Sequence, residues 1–133
     1  MKNVVCLLML FTGSLLIAQE KNTDISGVFE FETETIDYGK ILQNEDGYRE
    51  FKFKNIGNAP ITISNIKSSC GCSVAEKPSK PIMPGENGSI RVKYDTYRLG
   101  GFSKTFMIRS DAQDNLKKVR IKGNVVSSAI AQN

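Results

Sequence analysis

The chain has 133 residues, with 18 Lys and Arg against 14 Asp and Glu, 40% hydrophobic residues, and neither His nor Trp. This length allows one domain rather than two, and the apolar content is that of a folded protein. The absence of His excludes a Ser-His-Asp triad, a Cys-His pair and any His metal ligand, and the sequence shows no other enzyme active site.

The first 18 residues have the pattern of a secretory signal peptide. Lys2 supplies the positive start, an apolar run covers residues 4–17, and Ala18 precedes polar residues, so we expect cleavage after Ala18. A membrane anchor is the alternative, but the apolar run has 14 residues and a spanning helix needs about 20. We therefore predict an exported protein, periplasmic or secreted, with no transmembrane segment after signal cleavage.

The remaining chain divides into a flexible N-terminal segment (19–27), a folded domain (28–126) and a C-terminal tail (127–133). Residues 19–50 contain nine acids and three bases, whereas residues 51–133 contain five acids and fourteen bases. The plain interpretation of these charges is a solvated exterior, and the alternative is an affinity for anionic surfaces. We predict no nucleic-acid partner, because the bases are spread over several strands and the chain leaves the cytoplasm.

Apolar and polar side chains alternate along the domain in short runs bounded by turn residues, which is typical of half-buried strands. The first run contains Phe29 and Phe31, and we expect residues 37–40 to end it. Ile66 breaks the alternation and predicts a bulge, and the prolines of residues 78–84 predict a loop or an edge segment. The predicted inward-facing side chains are Phe29, Phe31, Phe51, Phe53, Ile61, Ile63, Ile90, Val92, Tyr94, Phe106, Ile108, Val119 and Ile121.

About seven such strands and no helix predict an all-β fold, an antiparallel β-sandwich of two sheets. The first strand has outward acids and the last has outward bases, so we predict that these two strands are neighbours. The alternative is that the charges only keep the strand faces soluble. The charged residues are Glu30, Glu32 and Glu34 in the first strand, and Lys118, Arg120 and Lys122 in the last.

Two cysteines remain after cleavage, Cys70 and Cys72, with Gly71 between them. An even number of cysteines in an exported chain suggests a disulfide. In a regular strand their Cα atoms would lie about 6.6 Å apart, near the upper limit of about 6.8 Å for a bridge, so a turn that glycine permits is needed. A bridge closing so small a ring is expected to be strained and easily reduced.

Three interpretations of this pair stay open. In the first, the cysteines are structural, as a tight disulfide or two half-buried thiols. In the second, they form a redox centre, with Lys67 and Lys77 lowering a thiol pKa. In the third, they bind a soft metal such as Cu(I) or Zn(II), which needs Met83 and Met107 to converge on them. The two cysteines are the only candidate site residues. We predict no catalytic residue, no cofactor and no other metal ligand.

Several short segments occur in a fixed order around the Cys-Gly-Cys sequence, namely 37–41, 51–63, 69–73, 81–85, 90–95, 100–104 and 121–123. Together they extend over about residues 28–125 and resemble the exported bacterial proteins that carry the domain of unknown function 1573. The resemblance implies an immunoglobulin-like β-sandwich and export. It implies no activity, since none is established for that family.

From these observations we expect a non-catalytic binding or structural module of the cell envelope, whose partner is a protein or another envelope component. The expected contact surface is an exposed sheet edge, or the Cys70–Cys72 loop beside the proline-rich residues 78–84. The alternative is a thiol redox or soft-metal-binding protein that acts through Cys70 and Cys72.

Overall fold

The computed structural model describes residues 24–129, which contain eight β-strands and no helix. Accordingly, this part of the chain offers no helix that could span a membrane. The strands are β1 (Phe29–Phe31), β2 (Thr35–Leu42), β3 (Tyr48–Asn55), β4 (Ile63–Ser68), β5 (Ser73–Glu76), β6 (Asn87–Tyr94), β7 (Gly100–Ser110) and β8 (Leu116–Val126).

The strands form two four-stranded sheets that pack face to face as a sandwich. Sheet A has the order β1-β3-β6-β5, and sheet B has the order β2-β8-β7-β4. The immunoglobulin-like β-sandwich is thus confirmed, with eight strands instead of about seven. All pairs are antiparallel except β2 with β8, which is parallel. The alternation of apolar and polar side chains could not predict this exception, because side chains alternate in the same way in parallel and antiparallel strands.

The predicted inward-facing side chains form the core. Phe51, Ile90 and Phe106 are fully buried, and Phe29 and Phe31 are half-buried and pack against the core. Each buried apolar side chain of this size contributes about 1.5–3 kcal/mol. The core between the sheets therefore explains the fold without help from covalent links.

The prediction that the first strand neighbours the last was wrong for most of its length. Phe29–Phe31 pairs with β3 in sheet A, so Glu30 lies opposite Lys54 and away from β8. The chain leaves sheet A at residues 32–34 and enters sheet B as β2, which does lie beside β8. Only Glu34 among the three acids approaches β8, where it forms an ion pair with Lys117. The acidic row is divided between sheet A and the crossover to sheet B, which alternation within one strand cannot show.

The predicted strand break at residues 37–40 was also wrong, because these residues lie within β2. The register between β2 and β8 shifts here by one residue, and Gly39 adopts a φ of 64°. The Asp37 carboxylate accepts a hydrogen bond from the Gly39 N–H at 2.8 Å. Residues 37–40 therefore form a bulge within β2, and the strand continues on both sides of it. The bulge predicted from Ile66 is confirmed in β4, whose register shifts between Ile63 and Asn65.

Asn55 joins three segments at one end of the sandwich. It is fully buried, and its side-chain oxygen accepts hydrogen bonds from the N–H groups of Val28 (3.1 Å) and Gly57 (3.0 Å). Its amide nitrogen donates to the carbonyls of Ala59 (2.8 Å) and Ile82 (2.9 Å). The turn at residues 55–58 is therefore held from inside, with every hydrogen-bonding group of this side chain satisfied.

Candidate functional site at the disulfide end

The cysteines lie at one end of the sandwich, which we call the disulfide end. It consists of the β2–β3 turn (43–47), the β4–β5 turn (69–72) and the β6–β7 loop (95–99). Hydrogen bonds join the three: the N–H of Asp95 donates to the carbonyl of Cys72 (2.9 Å), and the hydroxyl of Thr96 donates to the carbonyl of Glu45 (2.6 Å). The end is therefore one connected surface.

The structure brings Cys70 and Cys72 together as a disulfide, with Cα atoms 5.4 Å apart. The turn between them shortens the separation below that of a regular strand, as the sequence required. Both cysteines are half-buried and Gly71 is exposed. Because the turn joins β4, an edge strand of sheet B, to β5, an edge strand of sheet A, the disulfide lies where the chain crosses between the sheets.

Hydrogen bonds surround the sulfur atoms. The N–H of Cys72 donates to the sulfur of Cys70 at 3.2 Å, and the hydroxyl of Ser73 lies 4.0 Å from the same sulfur. The hydroxyls of Ser68 and Ser73 are hydrogen-bonded to each other at the base of the turn. The disulfide is thus one part of a constrained crossover whose backbone is also hydrogen-bonded.

Of the side chains that a metal or redox site would need, Met83 and Lys77 lie toward the opposite end of the sandwich, whereas Lys67 lies in β4, three residues before Cys70. Met83 lies in the loop before β6, at the opposite end, and Met107 lies on the outer face of sheet B. Lys77 donates to the carbonyls of Ile63 (3.5 Å) and Ser64 (3.4 Å), at the far end of β4. Residues 24–129 contain no group of three or more His, Cys, Asp or Glu placed to hold a metal ion.

The proline-rich residues 78–84 do not lie beside the cysteines, so that part of the expectation was wrong. β5 separates the two segments along sheet A, and Ile82 pairs with Ile61 at the opposite end. The sequence distance between them is short, but a strand between two turns places those turns at opposite ends of a sheet.

The β6–β7 loop presents two large apolar side chains to solvent. Tyr97 is 70% exposed and Leu99 is 58% exposed. The backbone beneath them is held: the carboxylate of Asp95 accepts from the N–H of Tyr97 (3.1 Å), and the amide of Gln43 donates to the carbonyl of Tyr97 (2.8 Å). The loop therefore displays exposed apolar groups from an ordered backbone.

An aromatic cluster supports this end from inside. The rings of Tyr94 and Phe102 stack with centroids 3.7 Å apart, and Tyr38 meets Phe102 edge-on at 5.3 Å. The guanidinium of Arg49 lies 4.2 Å from the centre of the Tyr38 ring. Burial raises the pKa of Tyr38 to about 12, partly offset by the positive charge of Arg49. The Tyr38 hydroxyl donates to the carbonyl of Gly47 at 2.7 Å and anchors the β2–β3 turn.

With this geometry established, we compared the chain with known proteins. Residues 29–125 match the family described as "Protein of unknown function (DUF1573)". The chain belongs to this family. The DUF1573 resemblance noted in the sequence is therefore confirmed. No curated protein matches the chain in sequence.

Solved structures share the fold of this DUF1573 chain. A protein of unknown function from Porphyromonas gingivalis W83 has a TM-score of 0.67 at 18% identity, covering 77% of this chain and 48% of its own, so the chain spans about half of that protein. The ASH / PapD-like domain of human CEP192 has a TM-score of 0.63 at 8% identity, covering 77% of this chain and 88% of its own. The CsuC-CsuE chaperone-tip adhesion subunit pre-assembly complex of Acinetobacter baumannii has a TM-score of 0.52 at 12% identity. The match covers 74% of this chain and 57% of the matched chain. At these identities the likeness shows the fold alone.

Sequence reasoning found the cysteines but missed the exposed pair beside them. Tyr97 and Leu99 are out of phase with Ile90, Val92 and Tyr94 of β6, but an isolated apolar residue in a loop carries no signal of its own. Asp95 before them and Gly100 after them are turn-forming residues that, with the change of phase, could have placed Tyr97 and Leu99 in a loop.

Proposed function

We propose that this protein is an exported, non-catalytic binding module of the cell envelope, and that it contacts a protein partner through the disulfide end. The observation that carries the proposal is the exposure of Tyr97 and Leu99 on a hydrogen-bonded loop. Large apolar side chains held ready in one conformation bind with a smaller loss of conformational entropy.

Three further features support this surface. The disulfide holds Cys70 and Cys72 in a tight turn next to the loop, and the N–H of Asp95 connects the two. The aromatic cluster of Tyr94 and Phe102 lies directly below. One of the solved structures with the same fold is a complex of a chaperone with a tip adhesion subunit, so this fold is compatible with protein contact.

Sheet edges are less suited to this role. β1 has three residues and β5 has four, which gives a partner strand few backbone groups to pair with. The edge strands β2 and β4 each contain a register shift, and bulges discourage strand addition. The end of the sandwich is therefore preferred over its edges.

The surface is tested by replacing Tyr97 and Leu99 together with serine, and by placing a photo-reactive side chain at position 97. The matched control is Ile56, which is 54% exposed at the opposite end of the sandwich. We expect a photo-reactive side chain at position 97 to give a discrete crosslink in bacterial envelope fractions that position 56 does not give. In affinity capture, the variant with Tyr97→Ser and Leu99→Ser should lose the same partner, whereas Ile56→Ser should keep it. Equal crosslinking at the two positions, or capture that survives the double substitution, would reject this surface.

Export is tested separately, by expressing the full chain in a bacterial host and fractionating the cells. We expect the protein outside the cytosol, with its first residues removed after Ala18. A cytosolic protein that retains residues 1–18 would contradict the envelope role, whatever the outcome of the crosslinking.

A further inference from the structure

The outer face of sheet B is strongly basic, in contrast to that of sheet A. In sheet A, the outward side chains of the strands include four bases and three acids, a near balance. In sheet B, the registers place six bases on the outer face against one acid, Asp37. That acid lies 3.9 Å from Lys122 and offsets one of the bases. The six bases are Lys40, Lys67, Arg109, Lys118, Arg120 and Lys122.

At the centre of this face, one transverse row contains only hydrogen-bond donors and hydroxyls. Arg120 in β8 lies between Thr35 of β2 and Thr105 of β7, its direct register partners. Ser69 extends the row, since its N–H donates to the carbonyl of Thr105 (2.9 Å) and its hydroxyl oxygen accepts from the N–H of Thr105 (3.1 Å). Adjacent strands are about 4.8 Å apart, so the row is about 14 Å long from Thr35 to Ser69, and a small ligand bound by Arg120 reaches the threonine beside it.

The row borders a cavity of about 370 Å³, which we call the Arg120 pocket. Its lining residues are Glu34, Thr35, Ser69, Thr105, Met107, Lys118, Val119 and Arg120.

The positive side chains of the pocket are not used by the fold. Among the ion pairs of residues 24–129, none involves Lys118 or Arg120. The one acid at the pocket, Glu34, is engaged by Lys117. The Ser69 hydroxyl accepts a backbone hydrogen bond, which leaves its own proton free to donate. The pocket thus has a guanidinium, an ammonium and hydroxyl donors with no protein acceptor assigned to them.

We propose that the Arg120 pocket binds a phosphate group carried by a small molecule or a lipid headgroup. A phosphate has three or more acceptor oxygens, which match the guanidinium of Arg120, the ammonium of Lys118 and the hydroxyl of Thr105, with Thr35 and Ser69 at the two sides of the pocket. A carboxylate carries one negative charge, whereas a phosphate monoester carries about −1.5 to −2 at neutral pH, so two adjacent cationic side chains favour phosphate. Arg120 supplies the planar fork that binds two phosphate oxygens at once. The pocket borders the disulfide end at Ser69, but Tyr97 and Leu99 do not line it, so the two proposals are tested with different residues.

The proposal is tested by titrating the purified protein with inorganic phosphate and with glycerol 1-phosphate at constant ionic strength, followed by calorimetry and by backbone amide shifts. We expect saturable binding, with the shifts centred on Thr35, Thr105 and Arg120. Arg120→Gln should weaken binding by about tenfold or more, and Thr105→Val by a smaller factor. Arg109→Gln is the matched control, because Arg109 is an exposed arginine of the same sheet face that lies outside the pocket.

Each outcome decides the proposal. Equal weakening of binding by Arg109→Gln and Arg120→Gln would show only general charge attraction and would overturn the site. The site would also be overturned if acetate bound as tightly as phosphate, or if neither phosphate compound showed saturable binding. Thr105→Val covers the case in which Arg120→Gln does not fold. Co-sedimentation with phosphatidylglycerol vesicles, against phosphatidylcholine vesicles, identifies the source: binding that Arg120→Gln abolishes assigns a lipid headgroup, and binding of glycerol 1-phosphate alone assigns a soluble ligand.

Discussion

Single buried polar side chains fix the turns of this sandwich. Asn55 makes four hydrogen bonds to three segments from a fully buried position, and the Tyr38 hydroxyl holds the β2–β3 turn through Gly47. A buried polar group is favourable only while its partners are present, because an unpaired one loses its solvation without replacement. These residues are therefore sensitive to changes of a single atom.

Asn55→Asp replaces the donating amide nitrogen with an oxygen while keeping the size of the side chain. The new oxygen would face the carbonyls of Ala59 and Ile82, two acceptors with no donor between them. We expect the free energy of unfolding to fall by about 3 kcal/mol or more at neutral pH. Denaturant unfolding measures it. Asn58→Ala is the control, because Asn58 is exposed and makes a single such bond, to the N–H of Ser26, and its loss should cost about 1 kcal/mol or less.

Tyr38 predicts a loss of stability at high pH. Its pKa is about 12 in the folded protein and 10.0 without burial, so the folded state binds the proton more tightly. The stabilisation is fully present below pH 10.0 and is lost as pH rises through 10.0 toward about 12, by at most about 3 kcal/mol. Burial also raises the pKa of Tyr94, which acts in the same direction.

Denaturant unfolding at about pH 8.5 and about pH 11, with tyrosinate absorbance in parallel, measures this loss. Tyr38→Phe should be less stable than the native chain at the lower pH, since it lacks the bond to Gly47, and should show a shallower decline with pH. An unchanged slope in Tyr38→Phe would show that other groups cause the decline.

At the scale of the element, irregular backbone decides how strands and turns behave. The bulge in β2 depends on a left-handed residue, Gly39, whereas the Cys70–Cys72 turn contains Gly71 in an ordinary conformation. An added Cβ would meet no atom within 4 Å at either position. The two glycines therefore differ in backbone conformation and not in available space.

Gly39→Ala should destabilise the protein by about 1–2 kcal/mol, because an L side chain is disfavoured at a φ of 64°. Gly71→Ala is the matched control and should change the free energy of unfolding by less than about 1 kcal/mol, in either direction. Chemical unfolding of the two variants compares them directly. Equal effects would mean that the bulge does not require a left-handed residue.

The disulfide closes a loop of three residues, so its removal should cost little. Chain-entropy scaling gives about 1.5 kcal/mol for so short a loop, and the core is buried between sheets that need no covalent link. We expect Cys70→Ser with Cys72→Ser to keep the β-sheet circular dichroism and to lose about 1–2 kcal/mol of stability. The reduced native chain should behave like the double variant. Unfolding on reduction at room temperature would refute this.

At the scale of the molecule, long-range pairing dominates. The parallel pair β2–β8 joins Thr35 to Arg120 and Leu42 to Val126, so the second strand cannot find its partner until the last is present. Sheets built from distant strands fold slowly, because the loop must close before contacts form.

We therefore expect a single refolding relaxation slower than about 1 ms. Stopped-flow dilution from denaturant, with tyrosine fluorescence as the signal, measures it. A relaxation in microseconds would indicate that local contacts, and not the pairing of distant strands, govern folding.

Ile121→Val shortens a fully buried side chain of β8 and should lower the free energy of unfolding by about 0.5–1.5 kcal/mol.

The sequence predicted well what depends on neighbouring residues. The alternation identified the all-β class and the core side chains such as Phe51, Ile90 and Phe106, because the direction of a side chain in a strand follows from its position in the pleat alone. The spacing of Cys70 and Cys72 identified the turn that the structure closes with a disulfide.

What the sequence missed depends on which segments meet. Glu30 and Glu34 belong to one alternating run, yet Glu30 lies in sheet A and Glu34 lies at the end of the crossover to sheet B, at residues 32–34. The alternation within a strand does not predict which strand it pairs with, whether the pair is parallel, or in which register it pairs. Loop closure and the packing of the two sheets determine these properties.

By itself, the sequence determined an all-sheet domain with a buried apolar face and a sulfur pair in a turn. Only the tertiary structure decided that the turn lies beside Tyr97 and Leu99, and that Thr35, Arg120 and Thr105 form one row. The physical reason is the same in both cases: surfaces are made by residues far apart in the chain, and only strand order and register bring them together.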